Sequence, residues 1–379
     1  MAALDVAIVG AGPVGAAVAA LCAAPGLSIG VFEARPGPSK EHRILALSHA
    51  SRALLEEVGA WPAEHATAIA SIHISQKGGP GRTLLEASEQ GLPALGYTVT
   101  YAALEEALTR RLADAGIPVH YGESCERIEL TGEAARLRFA SGRESDARLL
   151  VLADGGANAG KIPGIAFTEK DYAQHAVIGS VRTDRPHGQR AYERFTPQGP
   201  VALLPVEERY AFVFTASPDA ARRLLAADDE HFLAELQSHF GDRAGRFVSV
   251  SGRASFPLRL RAVNVPVAMR TAIVGNAAQA LHPIAGQGLN LGLRDAAALA
   301  AAIAASPASA GSPAMLEAYR QSRARDATRG IAFTDFLATI FADGRRLPTW
   351  GRGLALAALD LFPPVRRALA ERMIHGAPE

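Results

Sequence analysis

The chain has 379 residues, 49% hydrophobic and 20% charged; this length exceeds one ordinary core and predicts two packed domains, and the composition excludes a disordered chain or a multi-span membrane protein. A formal net charge of +1 offers no basic excess for a phosphate backbone, so nucleic acid is not expected as a partner. Two cysteines far apart, Cys22 and Cys125, exclude a Cys-x-x-Cys redox pair or zinc knuckle and fit a reducing, cytoplasmic setting.

In chain order, residues 4–9 are rich in β-branched side chains and lead into glycine, residues 14–23 are alanine-rich and helical in propensity, and residues 28–33 give a second strand. Strand, helix and strand in so short a span make one βαβ unit of a parallel sheet. The apolar stretch 6–24 is not read as a signal peptide or membrane span. It holds three glycines, follows Asp5 and has no Lys or Arg before Arg35. Its turn reads Gly10-Ala11-Gly12-Pro13-Val14-Gly15, and Glu33 closes the next strand. Glycines there let a pyrophosphate reach the backbone at a helix N-terminus, where the dipole contributes roughly 0.3–2 kcal/mol. Glu33 suits ribose hydroxyls and would repel a 2′-phosphate, so FAD or NAD fits and NADP does not.

Residues 52–58 and 102–115 read as helices, with a strand at 69–76 between them. A small meander follows at 125–130, 135–139 and 148–152. From about residue 161 the character changes: strands at 176–182, 191–195, 201–205 and 210–216, then a helix at 220–239, announce an antiparallel second domain. Residues 270–274 return to a buried strand and 289–305 to a long alanine-rich helix, so the dinucleotide domain is discontinuous.

Between that strand and helix lie Gly275-Asn276-Ala277-Ala278 and then Leu281-His282-Pro283-Ile284-Ala285-Gly286-Gln287-Gly288-Leu289-Asn290. Gly286 and Gly288 let backbone approach a planar ring. A helix starting near Asn290 aims its N–H groups at negative charge, which suits a reduced flavin. With one dinucleotide fingerprint only, a nicotinamide nucleotide must visit transiently. His282 has an ordinary pKa suited to proton transfer, although a buried loop histidine is as often structural.

The turn Gly10 to Gly15, the pair Asp154-Gly155 after a strand, and the stretch from Gly275 to Asn290 together resemble group A flavoprotein monooxygenases of the para-hydroxybenzoate hydroxylase fold. The wording GNAAQALHPIAGQGLNLGLRDA at 275–296 is most similar to their ubiquinone-biosynthesis branch, near its hydroxylases of 2-polyprenyl-6-methoxyphenols. The resemblance implies an α/β chain in which a discontinuous Rossmann-like FAD-binding domain (1–68, 97–160, 257–330) carries an α+β antiparallel-sheet substrate domain (69–96, 161–256) and C-terminal helices (331–379). It implies FAD, with NADH or NADPH as transient co-substrate, oxygen adding to give a C4a-hydroperoxide, and a polyprenylated phenol as the ring hydroxylated. Gly10, Gly12, Gly15 and Glu33 would hold the ADP half, and Arg43 would lie near flavin and pyrophosphate. Asp154 with Gly155 would face the FAD sugar and nicotinamide region. Gly275 and Asn276 would face the ribitol, and Pro283, Gly286, Gln287, Gly288, Leu289 and Asn290 would flank the isoalloxazine. His282 and Pro283 are the catalytic candidates.

The chain departs from the family at Asn276, where aspartate is usual, and at Asn158 and Lys161, where serine and arginine are common. Two alternatives therefore stand beside the main reading: a hydroxylase of a small soluble aromatic, and a non-catalytic flavin- or lipid-binding subunit of the ubiquinone pathway. A prenyl tail needs an apolar channel, for which residues 201–205 with Phe195, Tyr210, Phe212 and Phe214 are candidates, although alternation admits only half of them. A small carboxylate would instead need a buried arginine, with Arg190, Arg194 and Arg209 as candidates. The tail at 354–373 puts Phe362, Val365, Leu369 and Met373 on one helical face. Such a helix packs on its own domain, docks another ubiquinone-pathway protein or lies on a membrane, which would place a cytoplasmic protein at the membrane's inner face.

Overall fold

The computed structural model describes residues 3–342, apart from 24–25, 40, 42, 79–80 and 283–285, together with Val365, Arg367 and Glu371. Pro283 and all but three residues of the expected tail helix at 354–373 lie outside the described residues.

The βαβ unit forms as read. Leu4–Val9 pairs in parallel with Ile29–Glu33 on one side and Glu144–Leu152 on the other, and Thr271–Ile273 pairs in parallel beyond that. Three separate stretches of chain thus meet in one parallel sheet, and alternation along Leu4–Val9 shows why the strand is apolar throughout. Val6 and Ile8 pack on one face, against the helices, while Ala7 and Val9 pack on the other, against the meander. Helix Pro13–Leu21 sits between Gln287–Ala305 and Tyr101–Asp114. Small residues bring it close: a Cβ at Gly292 would lie 2.7 Å from Val14 Cγ2 and 3.0 Å from Gly275 Cα.

The second sheet has eight strands in the order Gln279–Ala280, Phe247–Val263, Phe167–Thr183, Arg209–Ala216, Gly199–Val206, Arg190–Thr196, Ser71–Gln76 and Arg82–Glu86. Its longest pairing is the antiparallel ribbon of Phe167–Thr183 with Phe247–Val263. The second of these runs unbroken through residues 256 and 257, where the sequence suggested a division, and helix Pro313–Ala342 likewise spans 330 and 331. Two expected elements are each divided. The strand at 69–76 becomes Thr67–Ile69, in a three-stranded sheet with Gly96–Thr100 and Ile44–Ser48, and Ser71–Gln76, which joins the large sheet. The N–H groups of Ala70 and Ser71 both turn to the Gln189 carbonyl at that change of sheet. The helix at 220–239 becomes Pro218–Ala226 and Asp229–Phe240, because Ala227 is extended and Asp228 caps a fresh start, accepting from the His231 N–H at 2.9 Å.

One face of the large sheet is covered by those two helices. Val177, Val201, Leu203, Tyr210, Phe212 and Phe214 pack there with Phe232, Leu236 and Phe240. The other face looks toward the parallel sheet across the site described next.

Candidate active site

A cavity of about 1580 Å³ lies between the two sheets. Its first wall is the end of the parallel sheet. Gly10 has φ +105°, and a Cβ there would stand 2.6 Å from the Ala153 carbonyl oxygen, so only glycine makes this turn. A Cβ at Gly15 would meet the Gly10 oxygen at 2.0 Å; Gly15 does not reach the cavity and serves the close packing of helix on strand. Gly12 does line the cavity, its nearest constraint being Tyr101 Oη at 3.3 Å from an added Cβ. Helix Pro13–Leu21 begins there with no side-chain cap, and so does Gln287–Ala305 after Gly286. Two helix starts therefore open on the cavity with uncapped N–H groups, the donor set a pyrophosphate and an electron-rich flavin carbonyl would use.

Glu33 is set by its neighbours. Its carboxylate accepts from the Ala11 N–H at 2.8 Å, from the Arg35 N–H at 2.9 Å and from Arg35 Nε at 3.0 Å. Burial pushes this carboxyl up, but those hydrogen bonds and the Arg35 charge outweigh burial and hold it below the usual carboxylate range. Arg35 also reaches Glu105 at 2.7 Å, tying the strand end to helix Tyr101–Asp114. Sequence reasoning missed Arg35, although a sequestered acid followed two positions later by an arginine is a readable signal.

Asp154 faces the cavity with Gly155, and its carboxylate accepts from the Gly156 and Asn158 N–H groups, both at 2.9 Å, and from Asn158 Nδ2 at 2.6 Å. Asn158 thus shapes the turn. Lys161 donates to the carbonyls of Cys125 and Glu126, both at 3.1 Å, and fixes the meander. Both unusual residues therefore have structural partners here. Asn276 is exposed and faces the cavity. Gly275, by contrast, is packed against Val14, its N–H donating to Asp295 Oδ2 at 3.1 Å. Asp295 also takes hydrogen bonds from Gln279 at 2.6 Å and from Arg323 at 2.8 Å, which binds this turn to helix Pro313–Ala342.

Gly286, Gln287, Gly288, Leu289 and Asn290 all line the cavity. The Asn290 side chain is engaged within the fold: Oδ1 accepts from the Ser48 N–H at 2.8 Å and Ser51 Oγ at 2.7 Å, and Nδ2 donates to the Gly286 and Ala46 carbonyls. It clamps strand Ile44–Ser48 onto the start of the long helix. Arg43, at the head of that strand, lines the cavity, pairs with Glu41 at 3.2 Å and lies over the Tyr101 ring. His282 is buried, edge-on to Tyr172, and burial pushes its imidazole down to about 4. It is therefore neutral at pH 7. Tyr172 in turn donates to Asp335 at 2.8 Å, which Lys170 also meets at 2.6 Å.

The second wall is the open face of the large sheet. Ile72, Ile74, Ala191, Glu193, Phe195, Ala202, Leu204 and Val213 line it. Alternation selects half of the expected channel residues: Phe195, Ala202 and Leu204 face the cavity, whereas Tyr210, Phe212, Phe214, Val201 and Leu203 face the helices. Arg190 and Arg194 bond Ser71 and Ser75, Arg209 pairs with Glu207, and none of the three lines the cavity.

The groups present suit FAD: glycine backbone and helix starts for pyrophosphate, Glu33 and Asp154 for sugar hydroxyls, and the 286–290 segment for a flat ring.

A family model described as an FAD binding domain matches residues 3–334. The chain is 35% identical over 378 residues to ubiquinone hydroxylase UbiL of Rhodospirillum rubrum, covering 96% of this chain and 87% of that protein. It is 33% identical over 315 residues to the 3-demethoxyubiquinol 3-hydroxylase of Escherichia coli, covering 78% of each. Among solved structures, p-nitrophenol 4-monooxygenase PnpA from Pseudomonas putida superimposes with a TM-score of 0.82 at 19% identity, covering 100% of this chain and 99% of that one, a likeness of fold. The chain belongs to the FAD-binding-domain family and, within it, to the FAD-dependent monooxygenases related to the ubiquinone hydroxylases.

Proposed function

We propose that this monooxygenase hydroxylates the ring of a polyprenylated phenol in ubiquinone biosynthesis, with NADH or NADPH and molecular oxygen as co-substrates. The observation that carries the reading is the second wall. Across the four adjoining strands Ser71–Gln76, Arg190–Thr196, Gly199–Val206 and Arg209–Ala216 its described cavity-lining side chains are apolar apart from Glu193 and Tyr192 and include no arginine, and the cations that line the cavity from farther along the sheet, Lys170, Arg259 and Arg261, are each held in an ion pair. A benzoate would have to surrender its carboxylate's hydration there for no cationic partner, whereas a prenyl tail gains roughly 25 cal/mol per Å² buried. Phe256, one of the few large hydrophobic side chains left exposed, also lines the cavity and offers an apolar approach. A prenylated substrate partitions into lipid, so the reading puts the protein in the cytoplasm, working at the membrane's inner face.

Bound FAD supplies the redox chemistry, carrying electrons from nicotinamide to oxygen. Gly10, Gly12, Glu33, Arg43, Asp154, Asn276 and residues 286–290, which line the cavity, would hold and orient it. The apolar wall excludes water, so that oxygen is spent on the ring. His282, neutral and packed edge-on to Tyr172, lines the cavity without a charge of its own. The test is anaerobic flavin reduction by NADH or NADPH. A short-chain prenylated methoxyphenol is expected to accelerate it and hydroxybenzoates are not; acceleration by hydroxybenzoates alone transfers the assignment to a hydroxylase of small aromatics.

A further inference from the structure

Glu193 is a carboxyl group on an otherwise apolar wall. It stands in Arg190–Thr196, where alternation turns Ala191, Glu193 and Phe195 to the cavity and Tyr192 and Arg194 to the helix side. Its register partners are Ile74 on one side and Ala202 on the other, with Val213 beyond. No hydrogen bond or ion pair ties it to a described residue. Burial holds its carboxyl up at about 7, so near neutrality it gains or loses a proton readily. The charged groups closest along the sheet, Arg190, Arg194 and His73, face the other side. Those elsewhere around the cavity are engaged too: Arg35 with Glu33 and Glu105, Arg43 with Glu41, Glu123 with Arg143, Lys170 with Asp335, Arg259 with Asp171 and Arg261 with Glu169, while Asp154 is hydrogen-bonded.

We infer that Glu193 is the catalytic base that accepts the phenolic proton of the ring being hydroxylated, an assignment that rests on the phenol reading above. As carboxylate it accepts the hydrogen bond of the neutral phenol O–H. When the ring carbon gives its electron pair to the incoming oxygen, the O–H bond breaks, its proton passes to Glu193, and the phenol carbon–oxygen bond becomes a carbonyl. The ring then regains aromaticity. The C–H proton beside the new oxygen leaves to solvent, Glu193 returns its proton to the carbonyl oxygen, and the carboxylate is restored. The inserted oxygen atom and the two electrons come from molecular oxygen and the nicotinamide, as the monooxygenase reaction supplies. The same carboxylate repels an aromatic acid, so one group both activates a neutral phenol and selects for it.

The experiment compares Glu193→Gln with wild type, both FAD-loaded, on a short-chain prenylated methoxyphenol and on a ring-fluorinated analogue already ionised at the assay pH. Turnover of the neutral phenol is expected to fall about 10²-fold, with most of that loss recovered on the ionised analogue. The wild-type kcat profile should show a limb near pH 7 that the amide variant lacks, and Glu193→Asp should keep part of the activity together with the limb. If the amide variant matches wild type, or loses both phenols equally, the assignment is overturned while the substrate reading stands, because wild type still hydroxylates the prenylated phenol. Should the amide variant shed FAD, Glu193→Asp carries the comparison, and a wild-type profile flat through pH 7 is enough to overturn the proposal. A wild type that hydroxylates only hydroxybenzoates defeats both the substrate reading and this inference.

Discussion

The two walls of the cavity meet their ligands by different means. The wall on the parallel sheet works through main chain. A Cβ at Gly10 or Gly15 would strike a carbonyl oxygen, two helix starts present uncapped N–H groups, and the acids Glu33 and Asp154 are locked by neighbours before any ligand arrives. The wall on the antiparallel sheet works through side chains that stand off the strands: isoleucines, alanines, Leu204, Phe195 and one untied carboxyl. Backbone cannot yield where side chains can. The first wall therefore fixes the cofactor, while the second can change its substrate without disturbing the first.

The largest effect expected from this contrast is at Gly15. Alanine gains about 1 kcal/mol of helix propensity, but its Cβ would sit 2.0 Å from the Gly10 oxygen, and overpacking against backbone costs roughly 1–3 kcal/mol or more. Thermal unfolding of Gly15→Ala should show a net loss of stability together with loss of FAD; a wild-type melting temperature would mean that this wall can move after all. Gly12→Val comes next and should separate fold from cofactor. Only Tyr101 Oη lies near the added group, so stability should change by about 0.5 kcal/mol or less, whereas FAD absorbance in the purified protein should vanish. Full FAD occupancy would contradict the assignment of the turn.

On the other wall, Ala202→Phe should leave the flavin spectrum intact and raise KM for a prenylated phenol about tenfold, since Ala202 faces the cavity beside Glu193. Flavin lost along with substrate would show that the walls are not independent. The smallest effect is expected at Asn276→Asp. The side chain is exposed at the cavity, so restoring a charge should leave hydroxylation intact and hold FAD at least as firmly. Titration of the apoprotein with FAD measures this, and a large drop in affinity would show that the neutral amide is required.

The same contrast governs what could be read from sequence. The glycine turn was legible because its chemistry is local: a strand, a turn without Cβ atoms and a helix start lie within a few residues. The reach of Arg35 to Glu105, Asp295 with Arg323, and Glu193 were not, because what each side chain does there depends on partners far along the chain. Asn290 was read as a flavin neighbour from its motif, yet its amide is taken up by Ser48, Ser51, Ala46 and Gly286. For Phe195, Tyr210, Phe212 and Phe214 the period of two was known in advance, but which half faced the cavity depended on where Pro218–Ala226 and Asp229–Phe240 would pack. The break between Ile69 and Ser71 had no visible signal, since it answers to the distant Gln189 carbonyl.

Hydroxylation of a prenylated phenol needs both walls, the one that binds the cofactor and the apolar one. It is tested most directly by supplying the FAD-loaded protein with NADH or NADPH, isotopically labelled molecular oxygen and a short-chain prenylated methoxyphenol, with hydroxybenzoates in parallel. The expected result is consumption of the nicotinamide with one labelled oxygen on the prenylated ring and none on the benzoates. Label entering the benzoates alone, or nicotinamide oxidised with no labelled ring in either, would contradict it.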